Sequence, residues 1–298
     1  MYYYKAFGLV IFSELELPEL CTDKGDGQVD LTITVGKIKL PKVRKTNIQR
    51  RGVMAQFGLE GTSCLYLNWP GIAKFEAKSG NLLVVDPTHV SSDVISLFTV
   101  SEALGLILYQ RGLFLLHASA VKVGKKAYCF MGNPGAGKST TAAAFMKAGC
   151  KLLSDDLTAI GFNKEGVPFV IPAYPQLKIW ENTVQGLNYE SSQIKPVSEG
   201  INKYSYQPIS DFDHEPVPLG AVFFLHKARN KKYLEPLIPV EIPVKLLRNF
   251  PLPISLVQEE KLKQHFQQSF GIAAHCELFN KRRDKNFEAL QVWVQSQL

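Results

Sequence analysis

Residues Gly132 to Ser139 read GNPGAGKS, and no other segment constrains this chain as strongly. They fit the pattern G-x-x-x-x-G-K-[ST]. The apolar run AYCFM (127–131) precedes them and the Ala-rich stretch STTAAAFMKAG follows, ending at Gly149. Strand, loop and helix in that order make a phosphate-binding loop, whereas a glycine-rich structural turn would not require the Lys-Ser pair in register. Gly132, Gly135 and Gly137 let the backbone curl so that successive N–H groups face phosphate oxygens, with Asn133, Pro134 and Ala136 between them. The expected nucleotide-binding set therefore runs from Gly132 through Lys138 and Ser139 to Thr140. Lys138 is expected to point away from the core at the β- and γ-phosphates, and Ser139 to ligate Mg²⁺. The helix N-terminus adds its partial positive charge to the same anion. ATP and Mg²⁺ are the expected cofactors.

A chain of 298 residues with 46% apolar and 20% charged content can bury a core and accommodate two domains. Its five cysteines are dispersed, with no C-x-x-C pair, which argues for a cytoplasmic location and against a zinc or disulfide framework. The opening MYYYKAFGLVIF lacks the pattern of a signal peptide. The most apolar region, 94–121, is broken by Glu102, Gln110 and Arg111, so no membrane partner is expected. A net charge of +7 fits nucleic acid, an acidic partner or a site built to hold phosphates. The basic runs 42–51 and KRRDK (281–285) carry no interleaved aromatic platform, so they read as solvated faces and a nucleic-acid partner is not expected.

Short apolar runs separated by turn residues such as DKGDG (23–27) predict a mostly β amino-terminal domain over residues 1–90. The pattern then changes to a helical period, predicting a connecting helix over 91–111. Residues 112–298 form the expected P-loop domain. In it, LFLLHASAVKVGKKAYCFMG reads as two strands around a Gly-Lys-Lys turn. The polar, proline-bearing stretch 188–218 reads as a loop, AVFFLHKA as a buried strand, and the segments near 259–270 and 284–298 as helices.

Two further features narrow the chemistry. Asp155 and Asp156 end the apolar strand after the loop helix, sixteen residues past Ser139. Adjacent side chains on a regular strand point to opposite faces, so both reach one site only where the strand ends, and strand ends are where such sheets bind ligands. One carboxylate could hold Mg²⁺ while the other accepts the proton of an attacking hydroxyl. His117 closes the run LFLL twenty-one residues before Lys138, and beside an Asp pair it could tune a carboxylate's protonation.

The set LLHASAV, GNPGAGKST and LLSDD, in this order, resembles the HPr kinase/phosphorylase family over about residues 112–180. The resemblance implies an α/β fold, a P-loop kinase core like that of HPr kinase and phosphoenolpyruvate carboxykinase, preceded here by the mostly β domain. It implies Asp155 as general base, His117 as its assistant, Asp156 beside the metal and Lys138 on the transferred phosphate. The segment after the tandem Asp departs from the family: it reads AYPQLKIW, with Lys178 where a carboxylate is expected, and no phosphorolysis-associated basic segment is recognisable. With the opening FGLVIFSELELPEL, this is more similar to the HPr-kinase-related proteins of peptide-modification clusters, including those acting on lasso-peptide precursors. The resemblance thus implies a serine kinase whose partner is a peptide or small-protein acceptor. Phosphorylation of HPr itself and a nucleotide-dependent regulatory module without kinase activity are the alternatives. A homo-oligomer is compatible with the sequence.

Overall fold

The structure is a computed structural model that describes residues 1–61, 63–197 and 202–298. It is mixed α/β and divides into two compact units, the first comprising Met1–Leu115 and Pro251–Val257, the second Leu116–Val197, 202–250 and Gln258–Leu298.

The first unit is built on a sheet of β1 (Tyr2–Ala6), β2 (Leu9–Ser13), β3 (Cys21–Thr22), β4 (Leu31–Val35), β5 (Arg44–Arg50), β6 (Val53–Glu60), β7 (Cys64–Trp69), β8 (Ala73–Lys78) and β9 (Leu82–Pro87). Their order across the sheet is β3-β1-β2-β4-β9-β8-β7-β6-β5. Burial alternates along β2, β4 and β8, as the period of two requires for strands with one face on a core. The same unit holds the helical stretch 92–110, long and apolar enough to span a membrane, with 78% of its apolar window buried within the fold. It is not one regular helix. α1 (Ser92–Phe98) and α2 (Leu104–Gln110) flank a π-helical segment, Thr99–Ala103, with non-helical dihedrals at Ser101. At the break, the Glu102 carboxylate receives Arg50 Nη2 at 3.0 Å and the Ser101 hydroxyl at 2.7 Å, two charge-assisted bonds.

After β10 (Phe114–Leu116), the second unit contains β11 (Ala118–Val123), β12 (Lys126–Met131), α3 (Lys138–Lys147), β13 (Lys151–Ser154), β14 (Thr158–Phe162), β15 (Pro168–Ile171), β16 (Leu177–Trp180), α4 (Glu181–Gly186), β17 (Ile194–Pro196), β18 (Lys203–Tyr206), β19 (Val217–His226), β20 (Leu234–Pro236), α5 (Ile242–Arg248), α6 (Glu259–His275), β21 (Glu277–Arg282) and α7 (Phe287–Gln295). Its main sheet runs β14-β15-β19-β12-β11-β13, with β21 on β19 and β20 on β21. β12, β19 and β21 are parallel, so their carboxyl ends, at Met131, His226 and Arg282, open on one edge. The core beneath that edge is aromatic. Phe130 of β12 and Phe145 of α3 stack at 5.2 Å, and Trp293 of α7 sits edge-on to Phe145 at 5.5 Å and to Phe223 of β19 at 5.3 Å. These contacts pin α3 and α7 to the sheet and thereby fix where α3 begins. α7 is also capped by Asn286, whose side-chain oxygen accepts from Ala289 N at 2.9 Å.

Two expectations are corrected here. The stretch 188–218 is not simply a loop: β17 and β18 pair antiparallel and extend from β16 as a small sheet, while residues 198–201 lie outside the described residues. Backbone pairing with β16 supplies the order that the polar composition concealed. KRRDK is a solvated face only in part: Arg283 and Lys285 are exposed, but Lys281 is 1% exposed. Its ammonium donates to Asp284 at 2.6 Å and lies 4.0 Å from the Trp293 ring centroid, partners that offset its desolvation.

Candidate active site

The segment 132–137 leaves β12 and turns into α3 through three glycines with left-handed backbone, Gly132 (φ 141°), Gly135 (φ 74°) and Gly137 (φ 107°). At Gly132 no other residue fits: a Cβ there would lie 2.5 Å from the Leu225 carbonyl oxygen and 3.0 Å from Ala136 Cβ. The loop is thus pressed against β19. Asn133, Pro134 and Gly135 are exposed, Ala136 is buried, and Ala136 N donates to Asn133 O to close the curl. Gly137 precedes the first helical residue, so the N–H groups of the first turn of α3 have no acceptor within the helix.

Lys138 differs from its expected outward direction. It is 8% exposed, and its ammonium donates to the Gly132 carbonyl at 3.0 Å, tying the helix start to the loop start. Burial lowers its pKa, and the charges of Asp156 and Asp155 oppose that fall. Ser139 donates to Asp155 Oδ1 at 3.0 Å. Thr140, beside it, turns away and shares a hydrogen bond with Thr183 of α4 at 2.9 Å, so its hydroxyl anchors the helix while its amide remains in the first turn.

Asp155 and Asp156 lie just past the end of β13, where the chain turns with Leu157 N donating to Asp155 O and Asp156 at φ 66°. The strand end breaks the alternation that would otherwise part them. Asp155 is 6% exposed and accepts three hydrogen bonds: Ser119 Oγ at 2.6 Å and Ser139 Oγ at 3.0 Å on Oδ1, and the Lys178 backbone N–H at 2.9 Å on Oδ2. Its pKa is raised to about 6, because burial and then the adjacent Asp156 charge penalise the carboxylate more than Lys178 and Ser119 stabilise it. Asp156, with a quarter of its side chain exposed, receives Lys178 Nζ at 3.5 Å. Lys178 itself is buried, 4% exposed, as an internal counter-charge to the tandem Asp.

His117 sits between β10 and β11, half-buried, with its backbone N–H donating to Asn249 O at 2.7 Å. Ser119, two residues on, bonds Asp155. Reading the HASA segment with the strand period of two would have singled out Ser119. Two cations also escaped the sequence reading. Measured from the place a Cβ would occupy, Lys227 Nζ lies 3.5 Å from Gly135 and Arg283 Nε lies 3.9 Å from Gly137. They directly follow β19 and β21, and the carboxyl ends of parallel strands were the available signal.

These residues fit a phosphate chain and a hard cation. The left-handed cradle admits no Cβ at Gly132, the free amides of α3 and three cations surround it, and Ser139 with Asp155 and Asp156 supplies oxygen donors of the kind Mg²⁺ takes. No protein-family model matches the chain, and no curated protein matches it. Among solved structures, the HPr(Ser) kinase/phosphatase from Coxiella burnetii aligns with 61% of this chain and 92% of its own length, at 10% identity and a TM-score of 0.34. A likeness of that size assigns neither activity nor substrate.

Proposed function

We propose that this chain is an ATP- and Mg²⁺-dependent kinase that phosphorylates a serine hydroxyl of a peptide. The observation that carries the reading is Asp155: a buried carboxylate beside the glycine loop, bonded to Ser139 of that loop and with a pKa of about 6. Such a group is ionised at neutral pH yet basic enough to take a proton from an alcohol during transfer. Asp155 receives the serine proton as the serine oxygen bonds to the γ-phosphorus and the bond to the β-phosphate oxygen breaks, and the proton then passes to solvent. Lys138 exchanges the Gly132 carbonyl for the phosphates, with Lys227 and Arg283 flanking the loop. Ser139 and Asp156 would hold Mg²⁺, which when bound neutralises charge on the β- and γ-phosphoryl oxygens. His117 is assigned to assist the carboxylate through the family resemblance, and a lasso-peptide precursor as acceptor rests on that resemblance as well.

Incubation with ATP, Mg²⁺ and the peptides encoded beside the gene, followed by mass measurement, tests this. A gain of about 80 Da, one phosphoryl group, on a serine-bearing peptide is expected. Efficient phosphorylation of HPr in place of peptides would move the assignment to HPr serine kinase/phosphorylase. One observation favours a second reading, a nucleotide-dependent regulatory module: Lys178 neutralises part of the tandem Asp from within. Nucleotide binding with no acceptor-dependent turnover would select it.

A further inference from the structure

We infer that the cleft between the start of α3 and the segment 283–290 is the subsite for the nucleoside of the bound nucleotide, a deepening that rests on the phosphate-loop reading above. The cleft opens to solvent along one side. It is continuous with the loop, since Ala136, Gly137 and Thr141 form one wall. It lies away from the chemistry: neither Ser139 nor Asp155 lines it. A phosphate chain whose terminal phosphorus faces Asp155 and Ser139 runs back along the loop amides and leaves at Gly137, where this cleft begins. Arg283, beside Gly137, stands at the junction.

The lining suits a flat, largely apolar base. Leu225, Phe287 and Leu290 provide the far wall, while Lys285 and Asn286 on the exposed rim supply polar groups for a sugar. Asp284 also borders the cleft, but it cannot read the paired N–H donors of guanine. Its side chain is 6% exposed, one oxygen takes Lys281 Nζ and the other the Tyr233 hydroxyl. The base is therefore held by apolar contact, without strong selection of guanine over adenine.

Calorimetric titration of the whole chain with Mg-ATP, Mg-GTP and Mg-tripolyphosphate tests this. ATP is expected to bind at least about tenfold tighter than tripolyphosphate, equivalent to about 1.4 kcal/mol, with GTP within tenfold of ATP. Phe287→Ala should erase the advantage of ATP and leave tripolyphosphate affinity unchanged. Phe287 also packs on Gly186, so a second measurement on the wild type guards against misfolding: photolysis with 8-azido-ATP should place the adduct within residues 281–290. Equal affinity for ATP and tripolyphosphate, an adduct confined to 177–206, or a GTP preference above a hundredfold would each overturn the subsite while leaving the phosphate loop standing. Failure of all three ligands to bind would overturn both.

Discussion

Asp86 in the first unit and Asp155 in the second are both buried, and the two are tuned in opposite directions. Asp86, at the end of β9 in the first unit, is 5% exposed and receives Lys74 Nζ at 2.9 Å, Lys37 Nζ at 3.1 Å and Ile38 N at 3.2 Å. Burial pushes its pKa up, but the bonds from Lys74, Ile38 and Lys37 outweigh this and bring it down to about 2. Asp155, 6% exposed, is met by hydroxyls and an amide, with another carboxylate as its neighbour, and its pKa rises to about 6. Equal burial therefore says little about a carboxylate's task. A cation in direct contact makes it a fixed charge in a scaffold; neutral donors and a like charge make it a proton acceptor near neutrality.

The contrast breaks most sharply on activity. Asp155→Asn keeps shape and removes the proton acceptor, so turnover should fall about 10²–10⁴-fold with nucleotide affinity retained; a variant keeping more than about a tenth of wild-type turnover would shift the role to Asp156. Lys138→Ala should cost about 10²–10³-fold in turnover, the loss typical of one electrostatic donor. Because Lys138 also ties α3 to Gly132, faster amide exchange at 132–138 should accompany it, and unchanged exchange with wild-type turnover would refute its role.

Stability sharpens the comparison. Asp155 binds its proton more tightly when folded than at its unfolded value of 3.8, so folding stability falls as pH rises from about 4 to about 6, and the cost is full above that. The advantage of Asp155→Asn over wild type should therefore grow between pH 4 and pH 7.5. Denaturant titrations at the two pH values measure it, and a constant difference would remove the raised pKa. Asp86 has the opposite sign: its contribution is complete above about 4 and is lost as pH falls through 2. Asp86→Asn should cost about 1–2 kcal/mol at pH 7 and almost nothing near pH 2, a modest figure because Lys37 and Lys74 are exposed enough for solvent to screen them.

The parts of the site that were legible in the sequence are local. β12, the glycine loop and the start of α3 follow one another within about twenty residues, and the end of β13 at the tandem Asp follows from its apolar run. What was not legible depends on partners distant in the chain. Ser119 meets Asp155 across 36 positions, and Lys178 N meets it across 23. Arg50 meets Glu102 of the helical stretch across 52 positions. Composition misled at Lys281, because a basic run reveals its charge and not the ring and carboxylate waiting inside. The order of β17 and β18 was hidden for a similar reason, since backbone pairing leaves little mark on polar side chains.

Asp156 holds φ at 66°, a conformation that asparagine and glycine adopt readily and that alanine or glutamate resist. An alanine scan would consequently report a composite at this position, charge removal plus a strained turn that also carries Asp155. Asp156→Asn isolates the charge and Asp156→Gly relaxes the backbone, so the pair separates two effects that one truncation merges. It also leaves asparagine and glycine as the conformationally cheap routes by which this site could lose its second carboxylate while keeping the turn.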